Sequence, residues 1–271
     1  MRQGTVERSA LGRADSTPQT GRRDDRRRDR GQGAVRALIV ADGDVPHRAA
    51  LDAGWPGWDR DVELIVAADG GWDKAAALGV RPGLLVGDAD SLPEARFAEV
   101  AAQGVPIERS PAAKDESDAE LALLAALRRG ATHVTILGAL GGKRFDHAVA
   151  NVGLLALPEP GIAQVELLDA TTRVRLLRAP AEGGAAVRLG IPGAAGDLVS
   201  LLPLGEPAQG VTTTGLLYPL LDETLRPGPA RGLSNVRLTT RASVSLRRGH
   251  LLILETRVAT ATEEPGTGDR T

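Results

Sequence analysis

The sequence predicts an α/β fold, a mainly parallel sheet flanked by helices, followed by a C-terminal all-β sandwich or jelly roll. Three observations predict it. From residue 34 to about 162, short apolar runs alternate with helix-patterned segments. Repeated strand-then-helix units build parallel sheets covered by helices. Beyond residue 163 the helix pattern stops, and strand-like segments follow one another between Gly, Pro and charged turns. Finally, Asp69, Asp88 and Asp90 fall just after predicted strands, where open parallel sheets keep their ligand crevices.

Residues 1–33 are polar, rich in Gly and Arg, and without a hydrophobic period, so a disordered tail is expected there. Val35–Ala41 is an apolar strand run ending in Asp-Gly-Asp, and Glu63–Ala68 is another ending in Asp69-Gly70-Gly71. Trp72–Leu78 reads as helix, Leu84–Val86 as strand, and Pro93 to about Ala102 as helix. Ser117–Arg129 has helical spacing at Leu121, Leu124, Ala125 and Leu127. His133–Leu137 is a strand ending in Gly138, and Phe145–Leu157 is a helix.

Segments 164–169, 173–178, 185–189, 197–202, 242–247 and 250–256 are strand-like, with Arg248-Gly249 as a hairpin turn. The boundary is expected at Leu157-Pro158-Glu159-Pro160-Gly161, which gives an α/β domain over 34–162 and a β domain over 163–258. The strand at 164–169 is a candidate for either sheet. Residues 259–271 are expected to be a flexible tail.

Composition narrows the function. The 42% hydrophobic content suffices for real cores, but aromatics are only 2%, so Leu, Val, Ile and Ala must fill them. Formal charge is 33 − 35 = −2; residues 1–33 hold nine Arg and five acids, leaving −6 for the body. An acidic body argues against nucleic-acid binding, which needs a basic surface. The absence of cysteine excludes disulfides, thiolate nucleophiles and Cys-ligated zinc. No apolar run approaches the ~20 residues of a membrane-spanning helix, and the N-terminus lacks a signal-peptide core. A cytoplasmic location, with no membrane partner, is the expectation.

Three constellations carry chemistry. In an extended chain Asp88 and Asp90 point to the same side, and their like charges call for a cation between them. Mg²⁺, a hard ion with oxygen ligands, fits best; the alternative is a turn capping the helix after Pro93. The second is Lys114-Asp115-Glu116-Ser117-Asp118-Ala119-Glu120. Ser117 with Glu120 makes a capping box, which does not account for Asp115, Glu116 and Asp118 together. The third, Gly138 to His147, joins a strand to a helix, and its glycines, Lys143 and Arg144 suit a triphosphate cradle. There Asp146 is alternatively a helix cap and His147 a buried histidine bonded to Asn151.

In this order, Asp69-Gly70-Gly71, Gly87-Asp88-Ala89-Asp90-Ser91, the 114–122 acidic segment and Gly141-Gly142-Lys143-Arg144-Phe145-Asp146-His147 with Asn151 resemble the thiamine pyrophosphokinase family. The likeness continues through Thr212-Thr213-Thr214-Gly215-Leu216, Tyr218 and Ser234-Asn235. The resemblance implies a homodimer with sites shared between subunits, transferring diphosphate from ATP to the thiamine hydroxyl and releasing AMP. It also implies that Asp69, Asp88, Asp90 and Asp118 are the acidic Mg²⁺–ATP residues, with Asp88, Asp90 and Asp118 as metal ligands and Asp115 as a further candidate.

Gly70, Gly71, Ser91, Ser117, Gly142, Arg144, Asp146, His147 and Asn151 would belong to the ATP side, and Tyr218, Ser234 and Asn235 to the thiamine side. This chain departs from the family at Ala89, usually aromatic, at Ser117, usually Thr, and at Val236, an acid in many bacterial members. Three rivals remain on sequence grounds: a hydroxymethylpterin pyrophosphokinase; a D-x-D aspartyl phosphohydrolase, which would expect Gly-Thr where Ser91-Leu92 stand; and a nucleotide-binding regulator without turnover, against which the full set of carboxylates weighs.

Overall fold

The computed structural model describes residues 34–87, 93–111, 115–157, 163–182 and 184–258. The strands are β1 (Val35–Val40), β2 (Leu64–Ala68), β3 (Leu84–Gly87), β4 (Ile107–Arg109), β5 (Ala131–Leu137) and β6 (Gln164–Leu168). They alternate with α1 (Arg48–Gly54), α2 (Gly71–Ala77), α3 (Glu94–Ala102), α4 (Asp118–Arg128) and α5 (Phe145–Leu154). Then follow β7 (Thr172–Ala179), β8 (Val187–Pro192), β9 (Leu198–Pro203), β10 (Ala208–Thr214), β11 (Glu223–Leu225), β12 (Asn235–Val236), β13 (Arg241–Leu246) and β14 (Gly249–Thr256). The expected strand–helix alternation followed by β structure is what the chain adopts.

One ten-stranded sheet has the order β12-β9-β14-β7-β6-β5-β1-β2-β3-β4, and a four-stranded sheet has the order β11-β10-β13-β8. Strands β6-β5-β1-β2-β3-β4 are mutually parallel. The strand at 164–169 thus joins the first sheet, and antiparallel β7 continues that sheet beyond it. The chain winds outward from β1 through β2, β3 and β4, then returns to place β5 on the other flank of β1. This reversal is a topological switch point, where a crevice opens outside the carboxyl ends of the strands.

Strands buried on both faces need apolar residues at successive positions, and β1 supplies them. Ala37, Ile39 and Ala41 enter a core with α4, while Leu38 and Val40 enter another with Trp55, Trp58 and Ala75. Strand β14 divides likewise: Leu252 packs toward the α4 side, and Leu251 and Ile253 enter the core between the two sheets. That second core, with Ile191, Val199, Val211 and Val244, makes the C-terminal half a sandwich.

Helix α4 starts at Ser117, whose Oγ accepts the Glu120 N–H at 3.2 Å, and ends before Gly130 at φ +83°. Its buried residues are Ala119, Ala122, Leu123, Ala125 and Ala126. Of the expected apolar positions, Ala125 is buried and Leu121, Leu124 and Leu127 are only partly buried. Small residues let the helix lie close to β2 and β3. Helix α1 and strands β4, β10, β11 and β12 were not anticipated, and α5 ends at Leu154 rather than Leu157. Among the described residues no helix is long and apolar enough to cross a membrane.

Candidate active site

A cavity of about 650 Å³ opens at the switch point. Its walls come from the loop after β1 (Asp42, Gly43, Asp44), Asp69 after β2, Lys74 of α2, and Glu116, Ser117 and Asp118 at the start of α4. The loop after β5 (Gly138, Gly141 to Arg144) and His147 and Asn151 of α5 complete it.

The loops after β1 and β5 touch backbone to backbone. Gly43 N–H donates to the Gly138 carbonyl at 3.1 Å, and a Cβ on Gly43 would stand 2.1 Å from that oxygen. Only glycine permits so close an approach. Gly71 serves α2 in the same way, since a Cβ there would lie 1.9 Å from the Val40 carbonyl oxygen. Gly70 and Gly71 do not line the cavity; they bring the N-terminus of α2 against β1.

Asp69 is 3% exposed and sits at φ +50°, a left-handed conformation that Asp and Asn tolerate better than most residues. That backbone turns the chain from β2 into α2 and keeps the carboxylate at the cavity wall. Lys74 bonds Asp42 Oδ1 at 2.8 Å and the carbonyls of Asp42 and Gly43, the latter at 2.7 Å. It therefore ties α2 to the β1 loop, and it also lines an adjoining cavity of about 310 Å³.

Arg144 bonds Asp146 through Nε at 2.9 Å and through Nη2. The guanidinium holds the Asp146 carboxyl down at about 2, and Asp146 makes no side-chain cap on α5. His147 is exposed on the cavity wall rather than buried, because α5 turns its first two turns outward and buries only Leu154. Asn151 instead donates to the Ala139 carbonyl at 3.0 Å, which fixes the β5 loop.

Of the expected residues, the fold brings Asp69, Ser117, Asp118, Gly142, Arg144, His147 and Asn151 to one cavity. Asp115 is exposed and does not line it. Asp88, Asp90 and Ser91 lie outside the described residues. Glu116 of the second acidic constellation lines the cavity too, and Asp42, Asp44 and Lys74 line it without a sequence signal read as a site. The rule applied to Asp69, an acid just after a parallel strand, would have found Asp42 and Asp44; nothing in the sequence marks Lys74.

Tyr218, Ser234 and Asn235 lie elsewhere, around β12. Asn235, 5% exposed, accepts from Tyr218 N–H at 3.0 Å and donates to the Tyr218 carbonyl at 2.6 Å. Ser234 has φ +54°, and its N–H donates to Ser200 Oγ at 3.0 Å. Tyr218 is left 58% exposed. Strand β12 stands five positions from β5 in the sheet, about 24 Å at ~4.8 Å per strand.

Two family models match the chain. The model "Thiamin pyrophosphokinase, catalytic domain" covers residues 58–164, and "Thiamin pyrophosphokinase, vitamin B1 binding domain" covers 188–251. The chain belongs to the thiamine pyrophosphokinase family.

A thiamine pyrophosphokinase of Bacillus subtilis is 25% identical over 206 residues, which is 73% of this chain and 89% of the relative. The crystal structure of the Bacillus subtilis enzyme superposes with a TM-score of 0.68 at 26% identity, over 82% of this chain and 98% of that one. Yeast thiamin pyrophosphokinase shares the fold, with a TM-score of 0.65 at 15% identity over 84% of this chain and 87% of its own. Within the thiamine pyrophosphokinase frame, Asp69, Asp118 and the 138–147 loop fall in the catalytic match, and Tyr218, Ser234 and Asn235 in the vitamin-binding match. The Asp42–Asp44 loop and Lys74's partners precede the catalytic match.

Proposed function

We propose that this chain transfers the terminal diphosphate of ATP to the hydroxyl of thiamine, giving thiamine diphosphate and AMP, with Mg²⁺. The observation that carries the reading is the convergence of Asp69, Asp118 and the Gly142–His147 loop, far apart in sequence, on one cavity at the switch point.

The lining combines carboxylates (Asp42, Asp44, Asp69, Glu116, Asp118) with Lys74, Lys143 and Arg144. Hard carboxylate oxygens beside cationic groups suit a phosphate chain that arrives with a divalent ion. Among the described residues no three acids or histidines close on one point. By the family resemblance, Asp118 would hold Mg²⁺ together with Asp88 and Asp90, which lie outside the described residues, with Asp69 as a further acid on the Mg²⁺–ATP side. When bound, the cation neutralises charge on the phosphates and on the departing AMP. Lys143 and Arg144 orient the phosphates from the β5 loop, and the Asp146 carboxylate holds the Arg144 guanidinium in place.

The thiamine oxygen attacks the β-phosphorus in line. The new O–P bond forms as the bond to the α-phosphate oxygen breaks, and a cavity carboxylate accepts the alcohol proton. Thiamine's thiazolium cation suits the exposed face of Tyr218, worth about 0.5–2 kcal/mol.

The separation of about 24 Å between β12 and β5 favours a homodimer in which the Tyr218 face of one subunit completes the cavity of the other. Exposed Phe145 (82%) and Val149 beside the cavity, and Leu221, Leu233 and Leu238 near Tyr218, are the apolar surface such pairing would cover. Mixing an Asp69→Asn protein with an Asn235→Ala protein should then restore roughly a quarter of wild-type turnover through mixed dimers with one intact site. No recovery would count against shared sites.

Incubation with ATP, Mg²⁺ and thiamine, with nucleotides and thiamine species resolved chromatographically, tests the reaction. Equal AMP and thiamine diphosphate are expected. ADP, free phosphate or no turnover would overturn the reading, and product only with a hydroxymethylpterin would reassign the acceptor.

A further inference from the structure

Arg237 follows the Asn235-Val236 strand and is 1% exposed, one of the most deeply buried side chains described. A buried guanidinium is costly unless its donors are met by well-placed acceptors. Nη2 donates to Glu255 Oε2 at 3.0 Å and Nη1 to the Ile191 carbonyl, while Nε makes no hydrogen bond among the described residues and has Asp197 Oδ2 at 3.9 Å as its ion-pair partner. Glu255, 2% exposed, also accepts from Arg173 Nε at 3.0 Å and Arg175 Nη2 at 2.6 Å on β7. Gly193 leaves room for this, since a Cβ there would lie 2.7 Å from Arg237 Nε. The Arg237 backbone is held as well, its N–H by the Asp197 carbonyl at 2.9 Å and its carbonyl by the Gly196 N–H at 2.8 Å.

Strand β12 has only two residues, paired with β9 through Asn235 and Val236. So short an edge strand has few ladder bonds to fix its position. Alternation along a strand puts Asn235 and Arg237 on the same, inward side, and both are buried while Val236 is not. Asn235 spends its amide on backbone: Oδ1 accepts from Tyr218 and Val236 N–H, and Nδ2 donates to the Tyr218 carbonyl. Leu217 N–H reaches the Val236 carbonyl at 2.8 Å, and Leu216 bridges to Arg237. The turn presenting Tyr218 therefore takes its position from β12, and β12 takes its position from Arg237 on Glu255.

We infer that Arg237 is a positioning residue for the co-substrate that Tyr218 faces: held by Glu255, it sets the affinity for the cationic heteroaromatic acceptor and leaves the phosphoryl-transfer step alone. This rests on the function proposed above. It also assigns a role to a buried ion cluster far along the sheet from the carboxylate cavity.

The test uses full-length Arg237→Lys and Arg237→Met proteins. Lysine keeps the charge but loses the planar fork that reaches Ile191 and Glu255 together; should the methionine protein fail to fold, the lysine protein carries the test. The KM for thiamine should rise about tenfold or more, with kcat at saturating thiamine and the KM for ATP within about twofold of wild type. Amide hydrogen exchange at Leu217 and Tyr218 should quicken in the same variants. An unmoved thiamine KM, or a fall in kcat with both KM values unchanged, would overturn the inference, because the latter reports only lost folded enzyme. If the wild-type protein made no thiamine diphosphate, the proposed function would fail separately. Exchange would then decide Arg237: quickened amides keep its positioning role, and unchanged protection refutes it.

Discussion

Replacing Gly43 by alanine isolates the contact that builds the cavity. The new Cβ would stand 2.1 Å from the Gly138 carbonyl oxygen and 2.4 Å from that of Gly141, well inside the 3.0 Å that real Cβ atoms respect. Both obstacles are backbone, so no side chain can swing aside. The loops after β1 and β5 must part by about 1 Å, and the 3.1 Å bond from Gly43 N–H to Gly138 weakens or breaks. Overpacking costs about 1–3 kcal/mol and the bond about 1 kcal/mol, about 2–4 kcal/mol together. For a chain of this size that lowers Tm by about 4–16 °C. The same displacement moves Asp42 and Asp44 relative to Lys143 and Arg144, and a 1 Å misplacement costs about 100-fold in rate.

Gly153→Ala is the control. Nothing lies within 4 Å of its would-be Cβ, and it sits in α5, so stability should rise by about 0.5–1 kcal/mol. Calorimetry and the AMP-release assay read both variants. A Gly43→Ala protein with wild-type Tm and turnover would refute the reasoning that backbone contact between these loops shapes the site.

Asp69→Asn should keep the fold, since asparagine accepts φ +50°, yet lose about 100-fold or more in turnover; Asp88→Asn and Asp90→Asn should do the same, and near-wild-type rates would return those acids to turn-forming roles. Arg257→Ala removes the 2.6 Å partner of Asp197, a carboxylate 5% exposed, and should cost about 3 kcal/mol in urea unfolding; a loss below about 0.5 kcal/mol would show that the pair is screened. Carbon-detected titration of Asp146 should give a midpoint about 2. Because the pairing with Arg144 depresses the folded-state value, its contribution is complete above the ordinary carboxylate pKa and fades as pH falls toward that midpoint. An unshifted midpoint would mean that the Arg144–Asp146 pair does not persist in solution.

The parts of the fold that could be read from the chain are those with a local signature. Alternation of apolar and helical runs marks β1 to α5, and Ser117 with Glu120 marks the start of α4, because capping and periodicity are properties of neighbouring residues. Strand β10 escaped because Gly210 and three threonines hide its apolar face. The acids after β2 and β3 and the loop after β5 were visible for the same local reason, as acids or glycines following an apolar run.

What sets the chain apart was decided by tertiary structure. Strand order is a non-local choice, and no residue near β1 announces that β5 will return to its flank; that return turned two distant loops into one cavity and drew in Asp42, Asp44 and Lys74. The burial of Arg237 is equally non-local. An arginine two residues after Asn235 reads as a solvated charge until Glu255, from a strand near the end of the chain, meets it in the interior. The sequence by itself determined most of the strands and helices and the motifs they carry, since those follow from short-range sterics and periodicity. Which charges are buried, and which loops face each other across the site, depended on partners that only the folded sheet brings together.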